Sequence, residues 1–311
     1  MKISAKTRKA LRAGRAIADE VIARRKSALR RRAAALRKLP ARRRVDTRSA
    51  PPRVITALRA AAGSAGVLVA EGDSWFDYPL NDVLSLLEDE HGYDVESVAH
   101  AGDRVEDMAY SGGQLEKFTR TIEKVLRRGI VPRAILISGG GNDVAGDQFG
   151  MLLNHAGSAI GGLNEKIVSG VIDERARYAY ITLLSAVTRI CDQHAQTRVP
   201  ILVHGYGHAI PDGRGFLGGW WILPGPWLEP GFREKGFDDP DDCRRMVKEL
   251  IDRFNQMLSS VARLPEFAHV KYIDVRNLLS SGSDYRSFWA NELHPTARGF
   301  KLVAERFAAA I

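Results

Sequence analysis

Cysteine is nearly absent from this chain: Cys191 and Cys243 are the two found in 311 residues. Two thiols with no metal-ligand spacing exclude a disulfide framework and a zinc-thiolate site, and both read as packing residues. Long apolar runs are missing as well. No segment approaches the ~18–20 consecutive apolar residues of a membrane-spanning helix. The basic N-terminus lacks the apolar stretch of about 7–15 residues that a secretory leader needs. A cytoplasmic protein is therefore expected, with peripheral membrane association as a further possibility. Acidic residues are scarce in one place only. Residues 1–53 hold 19 of the 46 Lys and Arg but three acids, Asp19, Glu20 and Asp46, leaving the remainder at a net −7. The basic balance belongs to a tail, and the acidic body gives no reason to expect a nucleic-acid enzyme.

What is present begins with that tail. Residues 1–38 are rich in Ala, Arg, Lys and Leu, all good helix formers. Ile17, Val21, Ile22, Leu29, Ala33 and Leu36 make an incomplete amphipathic stripe. Leu39-Pro40 ends it, and 41–53 reads as a linker. Residues 1–53 are thus expected to form a basic arm, either a solvated helix or disordered. An acidic surface such as anionic lipid is the partner that such an arm would suit. No aromatic residues are interleaved for base stacking, so nucleic acid is not the favoured partner.

From about residue 54 the pattern alternates. Short apolar strands are expected at 66–72, 93–99, 133–139, 199–206 and 270–275, with helices at about 80–90, 104–128, 171–195, 240–263 and 295–310. Near-continuous apolar strands separated by helices imply a parallel sheet covered on both faces. Right-handed crossovers then give a doubly wound, flavodoxin-like three-layer α/β/α sandwich with five parallel strands. Ligands of such sheets bind beyond the carboxyl ends of the strands.

Unusual residues collect at those ends. The first strand runs into Gly72-Asp73-Ser74-Trp75, which would present a serine. The second ends near Gly102, whose N–H can approach a ligand closely. The third ends in Gly139-Gly140-Gly141-Asn142-Asp143, an amide beside glycine N–H groups, a composition suited to an oxyanion hole. This loop lacks the Lys-Ser/Thr of a phosphate-binding P-loop and the spacing of a dinucleotide fingerprint. After the last strand, His294-Pro295 precedes the final helix. His91, His100, His155, His194 and His269 lack any such setting.

Together these four blocks resemble the SGNH (GDSL-type) hydrolase family, over about residues 66–310 and in that family's order. The resemblance implies a cofactor-free, metal-free serine esterase or lipase. Ser74 would be the nucleophile and His294 its base, with Ser74 N–H, Gly102 N–H and the Asn142 amide as oxyanion donors. Substrates would be an acyl lipid, a short-chain ester or an acetylated carbohydrate, with acyl transfer as a close variant. Asp73, Trp75 and Asp143, flanking these blocks, are candidate substrate contacts.

One position departs from the family pattern. Asn291 stands where an Asp usually sits, three residues before the histidine. Three readings follow: Asn291 or a backbone carbonyl orients His294 in a working dyad; another carboxylate, with Glu292 or Asp274 nearest, substitutes; or the protein is a weak enzyme that mainly binds, docked through its basic arm. The segment 204–240 is also long for a connection. Its Phe216, Trp220, Trp221, Trp227 and Phe232 suit either a partial roof over the site or a cap on the core. His208, Trp220 and Trp221 of this segment are further candidate substrate contacts.

Overall fold

The computed structural model describes residues 3–38, 64–79, 81–111, 113–146, 148–195, 198–218 and 223–311. The expected linker 41–53 lies outside them, as do Trp220 and Trp221.

Five short strands carry the fold: β1 (Gly66–Glu71), β2 (Tyr93–Ser97), β3 (Ala134–Ile137), β6 (Ile201–His204) and β7 (Val270–Ile273). They form one parallel sheet in the order β2-β1-β3-β6-β7, the flavodoxin-like arrangement, with the direction of winding reversing at β1. β3 and β6 are buried at every position, as central strands covered on both faces should be. A separate two-stranded antiparallel ribbon pairs β4 (Leu153–Asn154) with β5 (Gly162–Leu163).

The crossovers divide the helices between two layers. On one face α2 (Val83–Asp89) packs against the C-terminal α10 (Ala297–Ala310). On the other lie α3 (Val105–Tyr110), α4 (Gln114–Arg127), α7 (Arg177–His194) and α9 (Pro240–Ala262). The single helix expected over 104–128 is in fact two, α3 and α4. Gly113, at φ +76°, starts α4 and turns the chain between them. Three shorter helices complete the set: α5 (Gly141–Val144), α6 (Glu165–Ser169) and α8 (Glu229–Glu234), with a π-helical stretch, Gly170–Ala176, joining α6 to α7.

Helix α1 (Ala5–Lys38) departs from the solvated or disordered arm expected of the basic segment. Its first half is docked on α7. Ala10, Leu11, Ala18, Val21 and Ile22 are buried, and the Ser185 hydroxyl donates to Leu11 O at 2.8 Å. A side chain at Gly14 would put its Cβ 2.2 Å from Thr182 O, so the two helices cross at backbone distance. Asp19 meets Arg189 at 2.7 Å and Lys6 meets Glu174 at 2.6 Å along the rim. This explains why α7 is buried from Ala179 through Val187 without a break. A helix enclosed by a sheet on one side and a second helix on the other has no face left for polar residues. The apolar stripe of α1 up to Ile22 is therefore an internal contact. Among the described residues no helix is long and apolar enough to cross a membrane.

Candidate active site

Each strand of the central region ends by delivering one unusual residue to the same edge. After β1, Gly72 makes the turn because a Cβ there would lie 2.8 Å from both Phe76 and Ser138. Asp73 then organises the loop from inside. Its carboxylate accepts from Trp75 N at 3.0 Å and the Ser138 hydroxyl at 2.7 Å, and from the Tyr206 hydroxyl in a short hydrogen bond. Asp73 is 1% exposed with its oxygens occupied, so it anchors the nucleophile loop from the inner wall of the cleft. Trp75 is buried in the same way. It is 2% exposed, stacks on His204 at 5.3 Å and donates its indole N–H to Leu293 O at 3.1 Å. The two residues form an inner wall, and Ser74 between them faces the cleft.

Ser74 Oγ lies 2.8 Å from His294 Nε2, and His294 Nδ1 lies 3.0 Å from Asn291 Oδ1. Asn291 Oδ1 also accepts the backbone N–H groups of Leu293 and His294, at 3.0 and 2.9 Å. Backbone N–H groups can only donate, so the atom facing them must be the amide oxygen. His294 Nδ1 facing the same oxygen must then carry the proton, which leaves the Nε2 lone pair for the Ser74 hydroxyl. The amide nitrogen is held from the other side, donating to the Tyr78 hydroxyl at 3.0 Å. Tyr78 also stacks on the imidazole, with ring centroids 4.2 Å apart. Burial without a neighbouring carboxylate lowers the His294 imidazole from 6.5 to about 3.

The two carboxylates considered as substitutes are occupied elsewhere. Glu292 accepts four backbone N–H groups of the 204–240 segment, from Gly213, Trp227, Leu228 and Glu229 at 3.0, 2.6, 2.7 and 3.0 Å. Asp274 is taken by Arg276. His208, expected at the substrate, instead points into this ion-pair cluster, 2.9 Å from Asp252.

The loop after β2 places Gly102 at φ +93°. Neither its N–H nor that of Ser74 has a partner among the described residues. After β3, Gly140 takes φ +103° with Phe254 so close that a Cβ would lie 2.2 Å from the ring. That turn starts α5 and projects Asn142, whose amide donates one hydrogen to Asp103 O at 3.0 Å and leaves the other available. Asp143 turns inward. Its Oδ2 accepts from Val105 N at 2.9 Å, Oδ1 has no partner among the described residues, and burial raises the carboxyl to about 6. It borders the cleft, but its one formed bond is structural.

Two spaces meet at Asn142. One, of about 40 Å³ beside Ser74, is lined by apolar side chains including Leu228, Val247, Leu250 and Ile251. The other, of about 450 Å³, is bounded by Gly102, Arg104, Asp143, Met151, Arg175 and Trp227. Trp227 packs on His294 at 5.3 Å, so the 204–240 segment does reach the site. Its Phe232 turns inward, buried against Phe149 at 4.9 Å, so the segment is roof and core cap together. Sequence reasoning missed Tyr78, His204 and Glu71. No residue spacing announces them, because each acts by packing or burial around residues distant in sequence.

A parallel α/β/α sandwich with a serine hydrogen-bonded to a neutral histidine beyond its strand ends is the arrangement of an ester-bond hydrolase. The sequence pattern of the GDSL-like lipase/acylhydrolase family matches residues 60–302, and the chain belongs to that family. No curated protein matches. Among solved structures, the lipase Lip_vut3 from a goat rumen metagenome is 16% identical with a TM-score of 0.50, covering 79% of this chain and 97% of its own. A mutant of the acetyl-xylooligosaccharide esterase Axe2 from Geobacillus is also 16% identical, with a TM-score of 0.44 over 79% and 94% of the two chains. The α/β hydrolase LAE5 from the Lake Arreo metagenome is 14% identical, with a TM-score of 0.39 over 80% and 95%. At these identities the likeness is one of fold.

Proposed function

We propose that the protein hydrolyses carboxylic esters of short acyl groups through an acyl-serine intermediate on Ser74. The observation that carries this reading is the continuous line from Ser74 Oγ through His294 to an Asn291 amide of fixed orientation. As Ser74 Oγ attacks the carbonyl carbon, its proton passes to His294 Nε2 and the carbonyl oxygen becomes an oxyanion. The N–H groups of Ser74 and Gly102 and the spare hydrogen of Asn142 receive that charge. His294 then gives its proton to the leaving alcohol as the C–O bond breaks. Water repeats the sequence on the acyl-serine and releases the acid.

The acyl size is read from the walls. The recess beside Ser74 is narrow and closed by Leu228, Val247, Leu250 and Ile251, which favours a small acyl group, and the wider cleft suits the alcohol. The purified protein is therefore expected to cleave p-nitrophenyl acetate with kcat/KM at least about tenfold above p-nitrophenyl octanoate, each apolar group excluded being worth roughly 1–3 kcal/mol. Ser74→Ala should remove turnover and labelling by a fluorophosphonate together. Turnover equal to the Ser74→Ala background, with no labelling, would sink the reading. A preference for octanoate would sink its acyl assignment alone.

A further inference from the structure

At the end of β1, one residue before the Gly72 turn, Glu71 is wholly buried. An acid in the middle of a sheet needs a reason to be there, because burial disfavours its charged form. Its Oε1 accepts from Gly72 N at 3.1 Å and from the Gln114 side-chain amide at 3.2 Å. Its Oε2 is buried with no partner among the described residues. The Gln114 amide donates its other hydrogen to Asp103 Oδ2 in a short hydrogen bond. Asp103 follows Gly102, and its carbonyl oxygen receives the Asn142 amide at 3.0 Å. A single connected path thus runs from the core of β1 to both side donors of the oxyanion site.

We propose that Glu71 and Gln114 are positioning residues for the oxyanion donors: the buried carboxyl orients the Gln114 amide, which fixes Asp103 and through it the Gly102 N–H and the Asn142 side chain. This rests on the reading of Gly102 and Asn142 given above. The clamp works with Glu71 uncharged. One amide can bridge a carboxylic acid and a carboxylate, but two carboxylates sharing it would repel in a medium that screens poorly. The charged groups facing Glu71 are Asp103, whose repulsion favours the neutral form, and Lys117 on α4, whose weaker attraction opposes it. His100 stands 3.7 Å from the other side of Asp103. Burial pushes the Glu71 carboxyl up to about 8, so the clamp is intact at neutral pH and loosens as pH rises through that value.

The test uses the full chain with p-nitrophenyl acetate between pH 6 and 10, and in parallel the rate at which a fluorophosphonate labels Ser74. Phosphonylation needs the same donors and no particular ester. Gln114→Ala is expected to lower kcat and the labelling rate about tenfold, less than the ~10²–10³ that follows loss of a donor itself, with KM within about twofold. Glu71→Gln, which cannot ionise, should keep activity at pH 7 and abolish the fall in kcat near pH 8. A wild-type enzyme that turns over and labels, while Gln114→Ala does both at the same rate, overturns the proposal. So does an alkaline fall that persists unchanged in Glu71→Gln. A wild-type protein that neither turns over nor labels overturns instead the ester-hydrolase reading on which it rests.

Discussion

Asn291 shows how much of a catalytic residue's role lies in its orientation. In the serine proteases, replacing the aspartate that supports the histidine by asparagine costs ~10⁴ in turnover, because the amide enforces the wrong tautomer. Here two backbone N–H groups and the Tyr78 hydroxyl fix the amide oxygen toward His294 Nδ1, and the tautomer is the productive one. What the amide cannot supply is charge. His294 therefore sits at about 3, which keeps it neutral but makes it a weak base. The sign of the consequence is definite. A base acts when unprotonated, so wild-type kcat/KM should stay level down to about pH 4. Asn291→Asp raises the imidazole, moves the acid limb upward by at least about 2 pH units and increases kcat at pH 8 by about tenfold or more. The pH–rate profiles of the two proteins check this, and superimposable acid limbs would contradict it. Ser74, Gly102, Asn142 and His294 stood out in the sequence as candidates because each lies in a short block at a strand end. The direction of the Asn291 amide was not, since it depends on which atoms surround it.

The turns that close the strands are as constrained as the residues they present. Gly140 combines φ +103° with a Phe254 ring where a Cβ would stand. Gly140→Ala is expected to cost about 2–4 kcal/mol, the sum of left-handed strain and overpacking, and to depress kcat by displacing Asn142. Urea denaturation read together with turnover checks it; a cost below about 1 kcal/mol would show that the ring gives way. Strand positions were readable from their apolar runs to within a residue or two. The environment of a motif residue was harder to read. Asp73 and Trp75 flank Ser74 in the turn after β1, and both side chains are buried in the inner wall of the cleft. The setting of His208 was hidden for the same kind of reason, because its partner Asp252 comes from α9, remote in the chain.

At the scale of the whole molecule, the first half of the basic segment is part of the core packing. Residues 5–22 complete the packing of α7, and composition could not reveal this because α1 is mostly Ala and Arg whichever surface it meets. Removing residues 1–38 would uncover Thr182, Ser185 and the apolar flank of α7. The truncated protein should melt at least about 5 °C lower, corresponding to roughly 2 kcal/mol or more for a chain of this size. Thermal unfolding measures it, and an unchanged Tm would show that the contact carries no stability. The site has its own long-range tie. Asn291, Glu292 and His294 fall within four consecutive positions, one orienting the proposed base, one gathering four N–H groups of the roof, one being that base itself. The roof therefore cannot swing away like a door, since the hinge pin is the active histidine's own loop. The cleft between Gly102 and Trp227 stays open beside it, so the shape of the roof and the position of the histidine are held by one and the same loop.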